Sequence, residues 1–133
     1  MNEREILVTL MKQELQVLED INHPYIVRVL DLCEDDYNYY IALELLPDGN
    51  LLEILSQLSE QNVAFSERDA ATLIYQVLVA LNYMHKDNKI HRDLKMENIM
   101  VQLTENPNDE NTARMVCKLT DFGFSKMLDK EGE

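Results

Sequence analysis

Within six residues the segment Asp93–Asn98 sets a carboxylate, an ammonium and a carboxamide: Asp93, Lys95 and Asn98. A second carboxylate, Asp121, stands further on in LTDFGFSK, two residues before Gly123. These groups suit the movement of a phosphoryl group, which asks for charge and position more than for covalent chemistry. One carboxylate must orient an attacking hydroxyl and take its proton late, the role open to Asp93. One cation must lie against the moving group, and Lys95 supplies it. Metal ions that bridge phosphates need hard oxygen ligands. Asn98 offers a neutral oxygen and Asp121 an anionic one, with Gly123 as a flexible joint beside it.

Such groups act only if folded elements hold them. The 133 residues fit one domain, and a hydrophobic fraction of 46% is ordinary for a globular α+β chain. Periodicity predicts a helix over residues 2–22, with Leu7, Leu10, Met11, Leu15, Leu18 and Ile21 on one core-facing side. Glu14 lies inside that stripe. A carboxylate facing a core is costly unless a cation meets it. Glu14 is therefore either an edge residue that reaches solvent or an acid that needs a buried lysine. His23-Pro24 stops the helix, and two strands follow, about Tyr25–Leu32 and Tyr39–Leu46, joined by the turn Glu34-Asp35-Asp36. Pro47-Asp48-Gly49 is a second turn, and a short helix covers Leu51–Leu58. Ser66-Glu67-Arg68-Asp69 opens the clearest helix with a variant capping box. Its apolar face is broad: Leu73, Val77, Ala80, Leu81 and Met84, with Ile74 and Leu78 beside them, up to Asp87-Asn88. Ile99–Leu103 and Val116–Thr120 read as short strands around the polar loop TENPNDENTAR.

The net charge of −13, with a pI near 4.5, speaks against nucleic acid or an anionic membrane as partner. It would suit a basic peptide, or be no more than a solvated face. No run of 18 apolar residues occurs, and the N-terminus is acidic and helical in pattern rather than a signal peptide, so an intracellular location, cytoplasmic or nuclear, is expected. Cys33 and Cys117 match no metal or redox spacing and are read as reduced thiols.

HRDLKMEN and DFG resemble the catalytic-loop and metal-binding motifs of eukaryotic protein kinases. The resemblance extends over nearly the whole chain. ELQVLEDINHPYIVRVL is similar to that family's C helix and the strand after it, with Glu14 at the ion-pair position. YYIALELLPDGNLLEIL is similar to the hinge region and D helix, and FSERDAATLIYQVLVALNYMH to the E helix. The implied fold is a partial kinase domain, residues 1–46 an N-lobe remnant with the start of the hinge, residues 47–133 the first part of the C-lobe. The resemblance implies ATP and Mg2+ as cofactors and a protein serine or threonine as acceptor. Lys95, two residues after the catalytic aspartate, follows the serine/threonine pattern, and FSERDAA with DFGFSK is similar to the calcium/calmodulin-dependent group.

Carried over by position, the resemblance makes Leu43 the gatekeeper, the Glu44 carbonyl and Leu46 amide the hinge contacts to adenine, and Met100 the floor under the base. Asn50 stands where relatives often carry an acid for the ribose. His91 is read as a structural residue of the loop, Met96 as a replacement for its usual proline, and Arg92 as the partner of an activation-loop phosphate. The sequence departs from the family in having no G-x-G-x-x-G, and Lys12, two residues from Glu14, faces another side of the helix. The activation segment and the later C-lobe helices are also missing. These 133 residues alone are therefore expected to be inactive. A non-catalytic binding module and a weak nucleotide binder are the competing readings.

Overall fold

A computed structural model of the chain describes residues 2–91, 93–105, 113–120 and 126–127. Helix α1, Glu3–Glu19, begins at a reciprocal cap: Asn2 Oδ1 accepts from Glu5 N at 2.8 Å and Glu5 Oε2 accepts from Asn2 N at 3.0 Å. Only the C-terminal end of its apolar stripe is covered. Ile21 is buried and Leu18 packs on the core, whereas Leu7, Leu10 and Met11 are exposed, contrary to the expected core-facing stripe.

Strands β1, Val29–Glu34, and β2, Tyr39–Leu43, form an antiparallel pair with a register shift between Val29 and Asp31. The turn between them is built on Asp35, whose Oδ1 accepts from Tyr37 N and Asn38 N, both at 2.7 Å. The first strand starts later than its sequence suggests. Tyr25–Val27 leave it to run parallel to strand β5, which comprises Ala113–Leu119. Val27 N donates to Leu119 O, and Leu119 N donates to Tyr25 O, both at 2.9 Å. One apolar run thus serves two sheets, which periodicity alone does not reveal.

After Leu46, the turn at Asp48 and Gly49 takes Gly49 to φ 91°, and a Cβ there would collide with the Glu53 carboxylate. Helix α2, Leu51–Glu60, follows, capped by Asn50. Helix α3, Glu67–Lys86, starts at Ser66, whose Oγ accepts from Asp69 N at 3.0 Å. It ends at Asp87, and Asn88 beyond it takes φ 56°. Leu73, Val77, Ala80 and Met84 are buried. Ile74 and Leu78 are more than half exposed, so the broad face expected to be well buried is only half covered.

Strand β4, Ile99–Glu105, pairs antiparallel with β5 from Ile99–Leu119 to Glu105–Ala113. The two strands therefore take in both ends of the stretch read as a loop; residues 106–112 lie outside the described part. Ile99, Val101, Met115, Cys117 and Leu119 point into the core against α3. Gln76 of α3, buried among apolar neighbours, binds the outer edge of β5. Its Nε2 donates to Met115 O at 3.1 Å and its Oε1 accepts from Cys117 N at 2.7 Å. Strand β3, Lys89–Ile90, pairs with β6, Lys126–Met127. Both cysteines are free, as expected, Cys117 buried and Cys33 exposed.

Candidate functional site

Between β3 and β4 the chain makes a tight loop that closes with a 3-10 turn at Met96–Asn98. Two buried side chains hold it. His91 Nδ1 accepts from Asp93 N at 3.1 Å. Nδ1 is thus the unprotonated nitrogen, so the contact of Nε2 to Thr120 O at 2.7 Å is a donated bond. This bears out His91 as a structural residue: one ring ties the start of the loop to the residue before Asp121. Asn98 closes the other side. Its Nδ2 donates to Asp93 O at 2.9 Å and to Asp93 Oδ2 at 3.1 Å, while Thr120 N donates to Asn98 O at 2.9 Å.

The site therefore has a defined shape at Asp93. Its carboxylate is partly buried, holds the Asn98 amide at Oδ2, and has Lys95 Nζ at 3.7 Å from the same oxygen. Lys95 itself is half exposed, free to reach a ligand. Since Asn98 commits its NH2 group to Asp93, its Oδ1 is turned to neither of those oxygens and accepts no hydrogen bond among the described residues. A hard cation needs an oxygen of that kind. No cluster of three or more His, Cys, Asp or Glu that could hold a metal stands among the described residues. Asn98 would hold a metal only together with Asp121 and phosphate oxygens. Asp121 and Arg92 lie outside the described residues, as does the side chain of Glu14, whose backbone sits within α1. Met96 is exposed.

The second half of the site is the segment after β2. Leu43 is that strand's last residue, and Glu44 N still donates to Arg28 O at 3.0 Å. The Glu44 carbonyl and the Leu46 N–H then take no hydrogen bond among the described residues, which leaves an acceptor and a donor two residues apart. Leu46 is buried and Leu45 is exposed. Asn50 forms an isolated bridge with Met100, and Val101 N donates to Gly49 O at 2.9 Å, so this segment lies beside the start of β4. Asn50 is taken up as a helix cap, its Oδ1 accepting from Glu53 N at 2.9 Å and its Nδ2 donating to Glu53 Oε1 at 3.2 Å.

The Glu44 side chain adds what sequence reasoning missed. Both of its oxygens accept from Lys118 Nζ, at 2.8 and 3.0 Å, and Oε1 also accepts from Arg28 N at 3.0 Å. Burial alone would raise the Glu44 carboxyl, but the Lys118 ammonium and the Arg28 amide outweigh it and hold the carboxyl below its ordinary range. The one signal in the sequence was a single lysine inside the apolar strand VCKL, which says that a cation is present but not what it meets.

Comparison with known proteins agrees with this geometry. The family model described as Protein kinase domain matches residues 2–133. The chain is 36% identical over 118 residues to the probable serine/threonine-protein kinase fhkD of Dictyostelium discoideum, covering 89% of this chain and 15% of that protein. It is 38% identical over 120 residues to the calcium/calmodulin-dependent protein kinase cmkA of Emericella nidulans, covering 90% and 26%. It is 38% identical over 119 residues to the calcium/calmodulin-dependent protein kinase type 1 of Macrobrachium nipponense, covering 90% and 31%. The chain thus spans less than a third of the length of these relatives.

Proposed function

The chain belongs to the protein kinase family, and from that premise we propose that it carries the hinge and the catalytic loop of a serine/threonine kinase of the calcium/calmodulin-dependent type. In this reading residues 1–46 are the N-lobe part with the start of the hinge and residues 47–133 the first part of the C-lobe. The carrying observation is the Asp93–Asn98–Lys95 arrangement: one carboxylate oxygen fixed by an amide and faced by a cation, with the amide oxygen left over among the described residues.

Asp93 orients the hydroxyl of a protein serine or threonine and accepts its proton, as that oxygen bonds to the terminal phosphorus of ATP and ADP leaves. Lys95 meets the charge on the transferred group. Asn98 and Asp121 would hold Mg2+, which neutralises charge between the phosphates. The Glu44 carbonyl and Leu46 amide would receive adenine between Leu43 and Met100. Glu14 would pair with a lysine, and Arg92 with a phosphate on the activation loop. The acidic surface, net −13, would favour a basic peptide.

These 133 residues alone are proposed not to turn over, because they contain no G-x-G-x-x-G and no lysine before Glu14 except Lys12. Losing such electrostatic groups reduces rates on the order of a hundredfold or more each. The test is a chimera in which residues 2–133 replace the matching stretch of the Macrobrachium nipponense relative. A folded chimera should phosphorylate a basic serine peptide with Mg-ATP and lose this with Asp93→Asn. A folded chimera without transfer refutes the reading. A non-catalytic binding module is the second reading, favoured by the exposed Ile74, Tyr75 and Leu78 on α3, since an apolar patch in water favours association.

A further inference from the structure

We propose that the Glu44–Lys118 ion pair is a positioning device for adenine, a role that rests on the nucleotide reading above. Three observations meet at this pair. First, Glu44 carries both the side chain that is clamped and the carbonyl, unpaired among the described residues, that is proposed to face the base. Two bonds from Lys118 and one from the Arg28 amide hold the carboxylate, so rotation of this residue, and with it of its carbonyl, is restricted. Second, Lys118 pairs directly with Met100 across β4 and β5. Residues opposite each other in an antiparallel pair project from the same face. Ile99, Val101, Cys117 and Leu119 occupy the face toward α3, so Met100 and Lys118 share the other one. The residue proposed as floor of the base and the cation that holds the hinge therefore stand side by side. Third, the pair is largely shielded, with side-chain exposures of 16% for Lys118 and 26% for Glu44, so it is less screened than a surface bridge.

The pair spans 74 positions of sequence and joins the end of the first strand pair to the second hairpin. With Lys118 replaced by an apolar residue, the Glu44 carboxylate turns to water and the carbonyl loses its fixed direction. Affinity then falls by the fraction of molecules whose hinge still faces the ligand correctly.

The test uses the full chain and adenosine, which has no phosphates and needs no metal. The Leu46 amide signal and the dissociation constant are followed by NMR at a temperature where every variant is folded by circular dichroism. Lys118→Met should weaken adenosine about tenfold and reduce the shift of the Leu46 amide, while Lys118→Arg, which keeps two donors for Glu44, should restore both. Tyr37→Ala, in the exposed turn between β1 and β2, should leave adenosine binding unchanged. If the unaltered chain binds adenosine and Lys118→Met binds it equally well, the positioning role is overturned and the nucleotide reading stands. If the unaltered chain does not bind adenosine, the nucleotide reading falls and takes the positioning role with it. A loss in Lys118→Met that Lys118→Arg does not restore also overturns the role, since it then reflects packing and not the held carboxylate.

Discussion

Replacing Gln76 by glutamate changes one nitrogen for one oxygen and leaves shape and volume nearly as they are. The amide currently gives a proton to Met115 O and receives one from Cys117 N, at a site 7% exposed. An ionised carboxylate keeps the second bond and cannot make the first. The Met115 carbonyl is then buried without a donor, which costs about 1–3 kcal/mol, and it faces a negative oxygen. The variant has one escape: the introduced carboxyl can take a proton and become a donor again. Its pKa in the folded state is thus raised above the unfolded value of about 4.3. Escape limits the penalty to about 1.4 kcal/mol per pH unit, or about 4.4 kcal/mol at about pH 7.5. We expect Gln76→Glu to lose about 2–4 kcal/mol there, roughly 7–15 °C in Tm for a chain of this length. For a group with a raised folded pKa, the stabilising protonated form is fully present below the unfolded pKa. It is lost as pH rises through the folded pKa. The deficit relative to the unaltered chain must therefore shrink as pH falls toward about 4.3. Urea unfolding followed by circular dichroism at several pH values measures it. A deficit that stays flat between pH 7.5 and 5, or no deficit at all, would show that Gln76 does not bind β5 in this way.

Burial lowers the pKa of His23, whose Nδ1 accepts from Tyr25 N at 3.1 Å and whose ring lies 4.9 Å from that of Tyr83. The neutral ring is the one that fits, so its contribution is complete above the unfolded value of 6.5 and is lost as pH falls through the lower folded value. His23→Gln should therefore lose less stability than the unaltered chain between pH 7 and 5 in a thermal melt series. Burial pushes the Cys117 thiol up to about 11, and the neighbouring Asp31 carboxylate raises the exposed Cys33. At pH 8 an alkylating reagent should label Cys33 first and Cys117 only on unfolding, and Asp31→Asn should speed the first reaction. Ala80 is fully buried where α3 meets the β4–β5 hairpin, so Ala80→Leu should overpack the contact and cost about 1–3 kcal/mol in urea unfolding.

The helices were legible because their signals are local. Ser66 marks a helix start through a side chain that reaches three residues ahead. The spacing of Leu73, Val77, Ala80 and Met84 reports one face of α3. The triad Asp93, Lys95 and Asn98 was legible for the same reason, since the loop that gathers it is only six residues long. What failed was the assignment of partners at long range. The run from Tyr25 reads as one strand, yet its first residues pair with β5 and its later ones with β2. The stripe of α1 reads as core, yet an apolar face does not say whether another element lies against it; Leu7 and Leu10 are exposed. Glu44 was read for its backbone carbonyl alone and Lys118 only as part of a strand, because nothing in either neighbourhood points across 74 positions to the other side chain.

Strand β5 explains why so few described residues can still hold a site. One edge pairs with β4 along its full length. The other is met by Gln76 at Met115 and Cys117, and by Tyr25 and Val27 at Leu119. One face carries Cys117 and Leu119 into the core, and the other sends Lys118 to Glu44. Thr120, just after its end, is bonded to both His91 and Asn98 of the Asp93 loop. A shift of this strand by one residue would turn Lys118 toward α3 and Cys117 toward Glu44, since side chains alternate along a strand. Burying an unpaired ammonium in that core is far more costly than any gain from the slip. The lysine that bonds Glu44 therefore also opposes a one-residue slip of β5. The Glu44–Leu46 segment and the Asp93 loop are thus both tied to one strand, through Lys118 and through Thr120.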